Sequence, residues 1–383
     1  MSRNLSSSQF IALLDAVFQC GPRERGLTFM VDLPGDRLHD SSAWMDRRRI
    51  ATEWYLTLQD SWDAMPFEKL TFCAYPNVGT NNGDLPQEIL LVEQVNRHGT
   101  IASGLDTTLE EVLNDSSIVL APTELSSTAP LKVLARRLGF RGATMPGFSR
   151  AMIPALGLNY ESVNRRVLQI QERMNRASGA NVMLGVGDDA LFPLHIDLRF
   201  RNGHASGGLI RQPGSVANLP SGEAYIVPYE GEEPGERSQT TGVLPVQFGS
   251  EVVRFRIKEN KAVEVLSEGP AAEKQARLLA GEPAYGNIAE LGVGVLSEWG
   301  VKPVGSTLLD EKLGLHIAFG RSEHFGGQTG PAQFSAPDKV VHIDWVYVPE
   351  VQPSIQVRYV NFIYPDGSEE TIIRDGRLMV GKL

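Results

Sequence analysis

Three of the seven histidines in this 383-residue chain, His316, His324 and His342, lie close together near its C-terminal end. His342 stands in the segment VVHIDWVY (340–347), whose β-branched and apolar residues favour a strand. Because alternate residues of a strand point to the same face, His342 and Asp344 are predicted to project together. An imidazole and a carboxylate side by side on a strand suit a divalent metal, and a hydrogen-bonded His–Asp pair without a metal is the alternative.

The other two histidines lie just upstream. The segment LGLHIAFG (313–320) predicts a second strand with His316 at its centre, where a histidine is either a metal ligand or an ordinary core residue. His324 follows in the glycine-containing loop RSEHFGGQTG (321–330), and loops of this kind often border functional sites. Arg321 in the same loop either holds a substrate carboxylate or is a surface arginine.

Carboxylates in apolar or strand-like surroundings are the next candidates. Glu290 lies in NIAELGVGV (287–295), and Glu223 lies in NLPSGEAYIVP (218–228). A partly buried carboxylate needs a compensating partner, which a metal would provide; a cap or turn acceptor is the alternative. Glu311 in LLDEKLG (308–314) is a candidate general base, or else a helix N-terminal acid paired with Lys312 or with the helix dipole.

These segments together predict one ligand set. Its members are Glu223, Glu290, His316, His342 and Asp344. Three carboxylates and two imidazoles are typical of a one- or two-metal hydrolytic site. The chain has two cysteines, Cys20 and Cys73, with no Cys-x-x-Cys, which argues against a thiolate zinc site and a disulfide framework.

The elements that must position this set divide at about residue 158. Residues 1–158 predict an α/β domain with a mostly parallel sheet, because strand-like and helix-like segments alternate. The strands are expected at 27–31, 69–75 and 117–121, and the main helices at 45–58 and 128–138.

Residues 159–383 are predicted to form a strand-rich α+β domain that binds the metal. A helix at 160–177 leads into it, one further helix is expected at 271–280, and the polar segment 230–240 predicts an exposed loop. A second His-x-Asp pattern at His195 and Asp197 is either coincidence or a strand pair near the domain junction, and it predicts no second metal site.

Composition excludes several classes of protein. The net charge of −10 argues against a nucleic-acid binder. No apolar run is long enough for a membrane span. The N-terminal apolar run 10–18 is interrupted by Asp15, which argues against a secretion signal, so a cytoplasmic location is expected.

Five segments in this order resemble the thermophilic metalloprotease family of the aminopeptidase T and aminopeptidase S type. They are NLPSGE (218–223), NIAELGVG (287–294), LLDEKLGLHIAFG (308–320), FGG (325–327) and VHIDW (341–345). The resemblance implies a homodimeric, two-domain aminopeptidase with two divalent ions, such as zinc, cobalt or manganese. The family's ligands fall on Glu223, Glu290, His316, His342 and Asp344.

One position departs from the family pattern. The aminopeptidases usually carry a tyrosine seven residues after the first ligand histidine, where this chain has Glu323, followed by His324. The change implies a different substrate, an extra ligand from Glu323 or His324, or a loop that points to solvent. The catalytic candidates are Glu311, as the general base, and His324, which lies next to this departure.

The same superfamily is similar to non-haem iron dioxygenases that cleave dihydroxypyridine rings with a two-histidine, one-carboxylate site. That group matches at His342 and Asp344, and its other histidine is expected where this chain has Glu290. His316 or His324 would have to complete such a site by another route.

Three functions follow as hypotheses. The first is a metal-dependent hydrolase that removes an N-terminal amino acid from a short peptide or a related small amide. The alternative is an iron(II) dioxygenase acting on an aromatic or heteroaromatic ring. The third, a non-catalytic binding protein on the same fold, is disfavoured because all five matched ligands are present.

Overall fold

The computed structural model of the chain describes residues 4–36, 38–96, 99, 101–187 and 190–381. Internal contacts group the chain into two compact units. The first contains the residues up to Asn164 together with Gly208–Ser221, and the second contains Arg165–Gly207 and the chain from Gly222 onward. The predicted domain boundary at residue 158 stays a prediction.

The strands are numbered in chain order. They are β1 Glu24–Leu33, β2 Phe67–Pro76, β3 Glu88–Val95, β4 Ile101–Thr108, β5 Ile118–Ala121, β6 Arg141–Thr144, β7 Gly179–Val186, β8 Ala190–Asp197, β9 His204–Ser206, β10 Val216–Asn218, β11 Glu223–Ile226, β12 Thr241–Phe248, β13 Glu251–Lys258, β14 Lys261–Val265, β15 Ile288–Gly294, β16 Leu315–Gly320, β17 His342–Val346, β18 Ile355–Ile363, β19 Glu369–Arg374 and β20 Arg377–Leu378.

The α-helices are numbered in the same way. They are α1 Ser7–Phe18, α2 Ser42–Gln59, α3 Leu109–Asn114, α4 Thr128–Leu138, α5 Ile153–Leu156, α6 Tyr160–Arg176, α7 Pro270–Gly281 and α8 Thr307–Asp310. The helix expected at 128–138 is α4, and the left-handed backbone of the next residue, Gly139, terminates it. Among the described residues, no helix combines the length and the apolar character that a bilayer span requires.

The first unit is built on a seven-stranded sheet with the order β10-β6-β5-β1-β2-β3-β4. The five strands from β10 to β2 are parallel to their neighbours, and β3 and β4 add an antiparallel hairpin. This mostly parallel sheet with its helices confirms the predicted α/β class of the N-terminal part.

The second unit contains two antiparallel sheets, which confirms its predicted strand-rich class. One has five strands in the order β17-β16-β15-β11-β9, and the other has eight in the order β14-β13-β12-β8-β7-β18-β19-β20. Aromatic contacts join the two sheets: Phe319 of β16 meets Phe255 of β13 with ring centroids 5.3 Å apart, and Trp345 of β17 meets Phe248 of β12 at 5.1 Å. One face of the five-stranded sheet is therefore packed against the eight-stranded sheet.

The strand predicted around His342 is shorter than the apolar run that indicated it. The run begins at Val340, but β17 begins at His342, because the short 3-10 turn Pro337–Lys339 directly precedes the run. The strand predicted at 313–320 similarly begins at Leu315, since Glu311–Leu313 forms a 3-10 turn.

Candidate metal centre

All five predicted ligands project from the outer face of the five-stranded sheet. Strand β11 carries Glu223, β15 carries Glu290, β16 carries His316, and β17 carries His342 and Asp344. The residues that alternate with them, including Ala224, Leu291 and Ile317, are fully buried apolar side chains on the opposite face. The alternation of residues along these strands therefore places the ligand side chains on one face of the sheet and the apolar core side chains on the other.

Glu290 lies at the centre of the cluster. Its Oε1 is 3.1 Å from Nε2 of His316, and its Oε2 is 3.4 Å from Nε2 of His342. Nε2 of His316 is also 3.4 Å from Oε2 of Glu223, and Nε2 of His342 is 3.6 Å from Oδ1 of Asp344. The predicted side-by-side arrangement of His342 and Asp344 is thus present.

The five side chains form two groups of three that share Glu290. The inner group is Glu223, Glu290 and His316, all buried, and the outer group is Glu290, His342 and Asp344. Within each group one ligand atom per residue lies within 4.8 Å of the others. This spacing suits one cation per group, with Glu290 between them.

Glycines in the segment NIAELGVG make room for the cluster. A Cβ at Gly292 would collide with the imidazole of His316, which lies over this glycine from the neighbouring strand. A Cβ at Gly294 would collide with the backbone of the turn at Glu311 and Lys312. Only glycine therefore allows the histidine ring and this turn to approach β15 so closely.

Lys312 was missed as a partner of Glu223. Its side chain is almost fully buried, and its Nζ donates hydrogen bonds to Oε1 of Glu223, at 2.6 Å, and to Oε1 of Glu311. The sequence showed the neighbouring pair of Glu311 and Lys312, but the contact with Glu223 spans 89 residues of chain. Glu311, the candidate base, thus stands beside the cluster and is held by this lysine.

The electrostatics of the cluster favour positive charge. Burial opposes protonation of His316, but Glu290 and Glu223 raise its pKa to about 9. Burial likewise opposes protonation of His342, yet Asp344 and Glu290 raise its pKa well above the usual value. Burial also raises the pKa of Glu311 to about 8 against the opposing effect of Lys312. Without a metal, the negative carboxylates stabilise the protonated form of the imidazoles. A divalent cation bound there would be stabilised by the same negative charges.

Two carboxylate oxygens in the cluster accept no hydrogen bond from any described residue, although an imidazole nitrogen lies 3.4 Å from one and 3.6 Å from the other. Oε2 of Glu223 and Oδ1 of Asp344 are buried and form no hydrogen bond within the described part of the chain. A buried acceptor without a partner costs about 1–3 kcal/mol or more when charged. One such oxygen lies in each of the two groups, so the donor set fits a pair of divalent cations.

The loop after β16 covers the outer edge of the cluster. Arg321 pairs with Glu323 through hydrogen bonds of 2.6 and 2.5 Å, so this arginine is occupied by the loop itself. The ring of His324 lies 5.4 Å from that of His342, and burial with the neighbouring His342 lowers its pKa to about 4. Neither Glu323 nor His324 joins the two ligand groups found among the described residues.

Glu230 anchors this loop and was not singled out by the sequence. It accepts hydrogen bonds from the hydroxyl of Ser322, from the backbone N–H of Thr329 at 3.1 Å and from the Thr329 hydroxyl at 2.9 Å. The loop also holds a ligand, because Nδ1 of His342 lies 2.8 Å from the carbonyl oxygen of Arg321. That contact leaves Nε2 of His342 directed at Glu290 and Asp344.

Three aromatic side chains pack together next to the cluster: Phe325 belongs to the family-like segment FGG, whereas His204 and Tyr225 were missed. The rings of His204 and Tyr225 stack with centroids 5.1 Å apart, and Phe325 meets Tyr225 edge-on at 4.9 Å. Burial raises the pKa of Tyr225 well above its usual value, and the charges of Glu290 and Glu223 raise it further. The phenol is therefore neutral at ordinary pH.

The second His-x-Asp pattern has a structural explanation. Asp197 accepts hydrogen bonds from the guanidinium of Arg199 and from the backbone of Gln239. Nδ1 of His195 lies 3.0 Å from the side-chain oxygen of Asn181. In the part of the chain that the structure describes, neither residue belongs to a ligand group.

Comparison with known proteins adds information about the fold. No known sequence family and no curated protein matches the chain. The structure of 2,5-dihydroxypyridine dioxygenase from Pseudomonas putida KT2440 is similar, with 14% identity, a TM-score of 0.60 and coverage of 99% of each chain. Wild-type AmpT from Thermus thermophilus is similar with 15% identity, a TM-score of 0.56 and coverage of 98% of this chain and 99% of that one. The resemblance inferred from the sequence is thereby confirmed at the level of the fold.

Proposed function

We propose that this protein is a metal-dependent hydrolase of the aminopeptidase type, which removes an N-terminal amino acid from a short peptide or cleaves a related small amide. The observation that carries the proposal is the pair of ligand groups that share Glu290. A shared carboxylate between two cation positions is the arrangement that two-metal hydrolases use. The fold shared with AmpT is consistent with it.

The proposed ligands are those predicted from the sequence. Glu223 and His316 would hold an inner ion, His342 and Asp344 an outer ion, and Glu290 both. Divalent zinc, cobalt or manganese bound there would polarise the substrate carbonyl and make a water molecule more acidic.

Three further residues are assigned to positioning a ligand, accepting a proton and contacting the substrate. Lys312 fixes Glu223 so that Oε2 faces the cluster, and it keeps Glu311 beside it. We assign to Glu311 the role of general base, since it is the carboxylate outside the ligand set that lies next to the cluster. His324, a neutral imidazole at the outer edge, would contact the substrate.

An iron(II) dioxygenase is the second candidate, and a specific observation favours it. Nε2 of His316 is 3.1 Å from Oε1 of Glu290 and Nε2 of His342 is 3.4 Å from its Oε2, so one carboxylate lies between two imidazoles, which are the donor types of such an iron site. Among the described residues these three side chains do not form a single ligand group, so a mononuclear site would require both imidazoles to turn toward one position. The fold shared with 2,5-dihydroxypyridine dioxygenase is compatible with this alternative. Glu290 would then be the carboxylate of the iron site, with Glu223 held by Lys312.

Elemental analysis of the full chain purified with and without oxygen tests both candidates. The hydrolase predicts up to two zinc, cobalt or manganese ions per chain and hydrolysis of aminoacyl p-nitroanilides, lost with a chelator and restored by those ions. Iron-dependent oxygen uptake with a dihydroxypyridine, and no hydrolysis, would favour the dioxygenase. A chain that binds no divalent metal would refute both.

Site variants sharpen the test. Glu290→Ala and His342→Ala should remove metal and activity together. His195→Ala is the matched control, because it removes a histidine from the other His-x-Asp pattern of the same unit. Full metal content in both site variants would contradict the ligand assignment.

Two further features stay proposals. The resemblance implies a homodimer, which sedimentation of the purified chain would test. A small-molecule or short-peptide substrate and a cytoplasmic location complete the proposal.

A further inference from the structure

Tyr225 lies on the ligand-bearing face of the five-stranded sheet. It follows Glu223 by two residues on β11, so both side chains point to the same side. Its cross-strand neighbour on β15 is Gly292, the glycine over which the imidazole of His316 lies. The side chain of Tyr225 therefore starts from the same face as the inner ligand group, next to it on the sheet.

Packing holds the ring of Tyr225 without using its hydroxyl. The ring stacks on His204 at 5.1 Å with an interplanar angle of 25°, and it meets the edge of Phe325 at 4.9 Å. Nε2 of His204 lies 3.1 Å from the carbonyl oxygen of Phe325, which ties these two neighbours together. An aromatic side chain fixed on both sides loses little further freedom when a ligand binds.

The hydroxyl of Tyr225 is an unused donor. It forms no hydrogen bond with any residue that the structure describes, and Tyr225 is only partly buried. The polar side chains around it are mostly acceptors: Glu223, Glu290 and Glu311 are the charged groups whose fields act on it. Lys312, the nearby cation, already donates to two of these carboxylates.

We propose that Tyr225 is a catalytic residue whose hydroxyl donates a hydrogen bond to the carbonyl oxygen of the scissile amide. The inference rests on the proposed hydrolase function. As water adds to the carbonyl carbon, the carbonyl oxygen gains negative charge, so the hydrogen bond that it accepts from the hydroxyl strengthens along the reaction. Removing one such donor typically lowers kcat by about 10²–10³-fold.

Tyr225→Phe in the full, metal-loaded chain tests this directly, because phenylalanine keeps the ring packing and removes only the hydroxyl. We expect unchanged metal content, a fall of about 10²-fold in kcat for leucine p-nitroanilide, and little change in KM. The phosphonic acid analogue of leucine, which mimics the tetrahedral intermediate, should bind at least about tenfold more weakly by calorimetry.

Tyr364→Phe is the matched control. Its hydroxyl donates to Glu370 outside the ligand cluster, so the loss should affect neither kcat nor phosphonate binding. An active wild type with unchanged kcat and phosphonate affinity in Tyr225→Phe would overturn the inference and leave the hydrolase standing. Loss of metal in Tyr225→Phe would also overturn it, since the hydroxyl would then serve the metal site. A wild type that binds metal but hydrolyses no aminoacyl anilide would refute the proposed function itself.

Discussion

Substitution of Gly292 by alanine should damage the metal centre without removing any ligand. The new methyl carbon would stand 2.6 Å from Cδ2 of His316 and closer still to two other ring atoms, whereas carbon atoms in contact lie about 3.5–4.0 Å apart. The imidazole would therefore have to move by roughly 1 Å or more. Such a shift breaks the 3.1 Å contact between Nε2 of His316 and Glu290.

The expected cost has two parts. Overpacking at a fully buried position lowers the free energy of unfolding by about 1–3 kcal/mol, which urea denaturation measures. Displacement of one ligand of the inner group should weaken metal binding by about 10–100-fold, the range seen when the orientation of a metal ligand is disturbed. Calorimetric titration of the metal-free protein with zinc or manganese measures this second effect.

Gly281→Ala is the control for this experiment. Gly281 is the last residue of α7, and a Cβ there meets no atom within 4 Å. Alanine should change stability by no more than about 1 kcal/mol, with metal binding unaffected. If Gly292→Ala bound metal as tightly as Gly281→Ala, the imidazole of His316 would not lie over Gly292, and the inner ligand group would be refuted.

Further predictions concern the buried charges, the shared ligand and the loop. In the metal-free protein, Lys312→Met should lower the free energy of unfolding by about 3–5 kcal/mol, because two buried carboxylates lose their cation. As a control, Lys302→Met, which removes an exposed lysine, should lower it by less than about 1 kcal/mol. Equal effects of the two substitutions would contradict this arrangement of charges. Glu223→Gln should remove one bound ion and Glu290→Gln both, as counted by elemental analysis; equal losses would argue against a shared glutamate. Glu230→Ala should speed amide exchange in the loop after β16, and unchanged exchange would show that this carboxylate does not anchor it. A chelator should lower the thermal midpoint, since metal present at 100 times its Kd stabilises by about 2.7 kcal/mol, and an unshifted midpoint would contradict metal binding to the folded state.

Much of the secondary structure was predictable, because it depends on local patterns. The apolar run at 27–31 indicated β1, and the helical spacing at 45–58 indicated α2. The helix expected at 128–138 is α4, which has Pro130 near its start and Gly139 directly after its end. The strands predicted around His316 and His342 differ from the observed ones at their ends, because turns precede β16 and β17. The strands β3 and β4 and the short helix α8 were not predicted.

The candidate site was predictable to a smaller extent. Alternation along one strand sufficed to place His342 beside Asp344, and their nitrogen and oxygen atoms are 3.6 Å apart. The pairing of Arg321 with Glu323 was not expected, although both belong to one short loop. In this loop a local sequence admits several side-chain pairings, and only the folded backbone selects one.

The sequence by itself determined the donor types, the two strands that carry His316, His342 and Asp344, and the common face of His342 and Asp344, because strand period and side-chain chemistry are local properties. Tertiary structure alone decided that Glu290 lies between the two histidines, that Lys312 meets Glu223 and that Tyr225 faces the cluster. These relations depend on the register between strands that are far apart in the chain. A shift of one residue in that register would point the ligand side chains toward the core. Packing of the apolar face therefore fixes the register and, with it, the positions of the ligands on the opposite face.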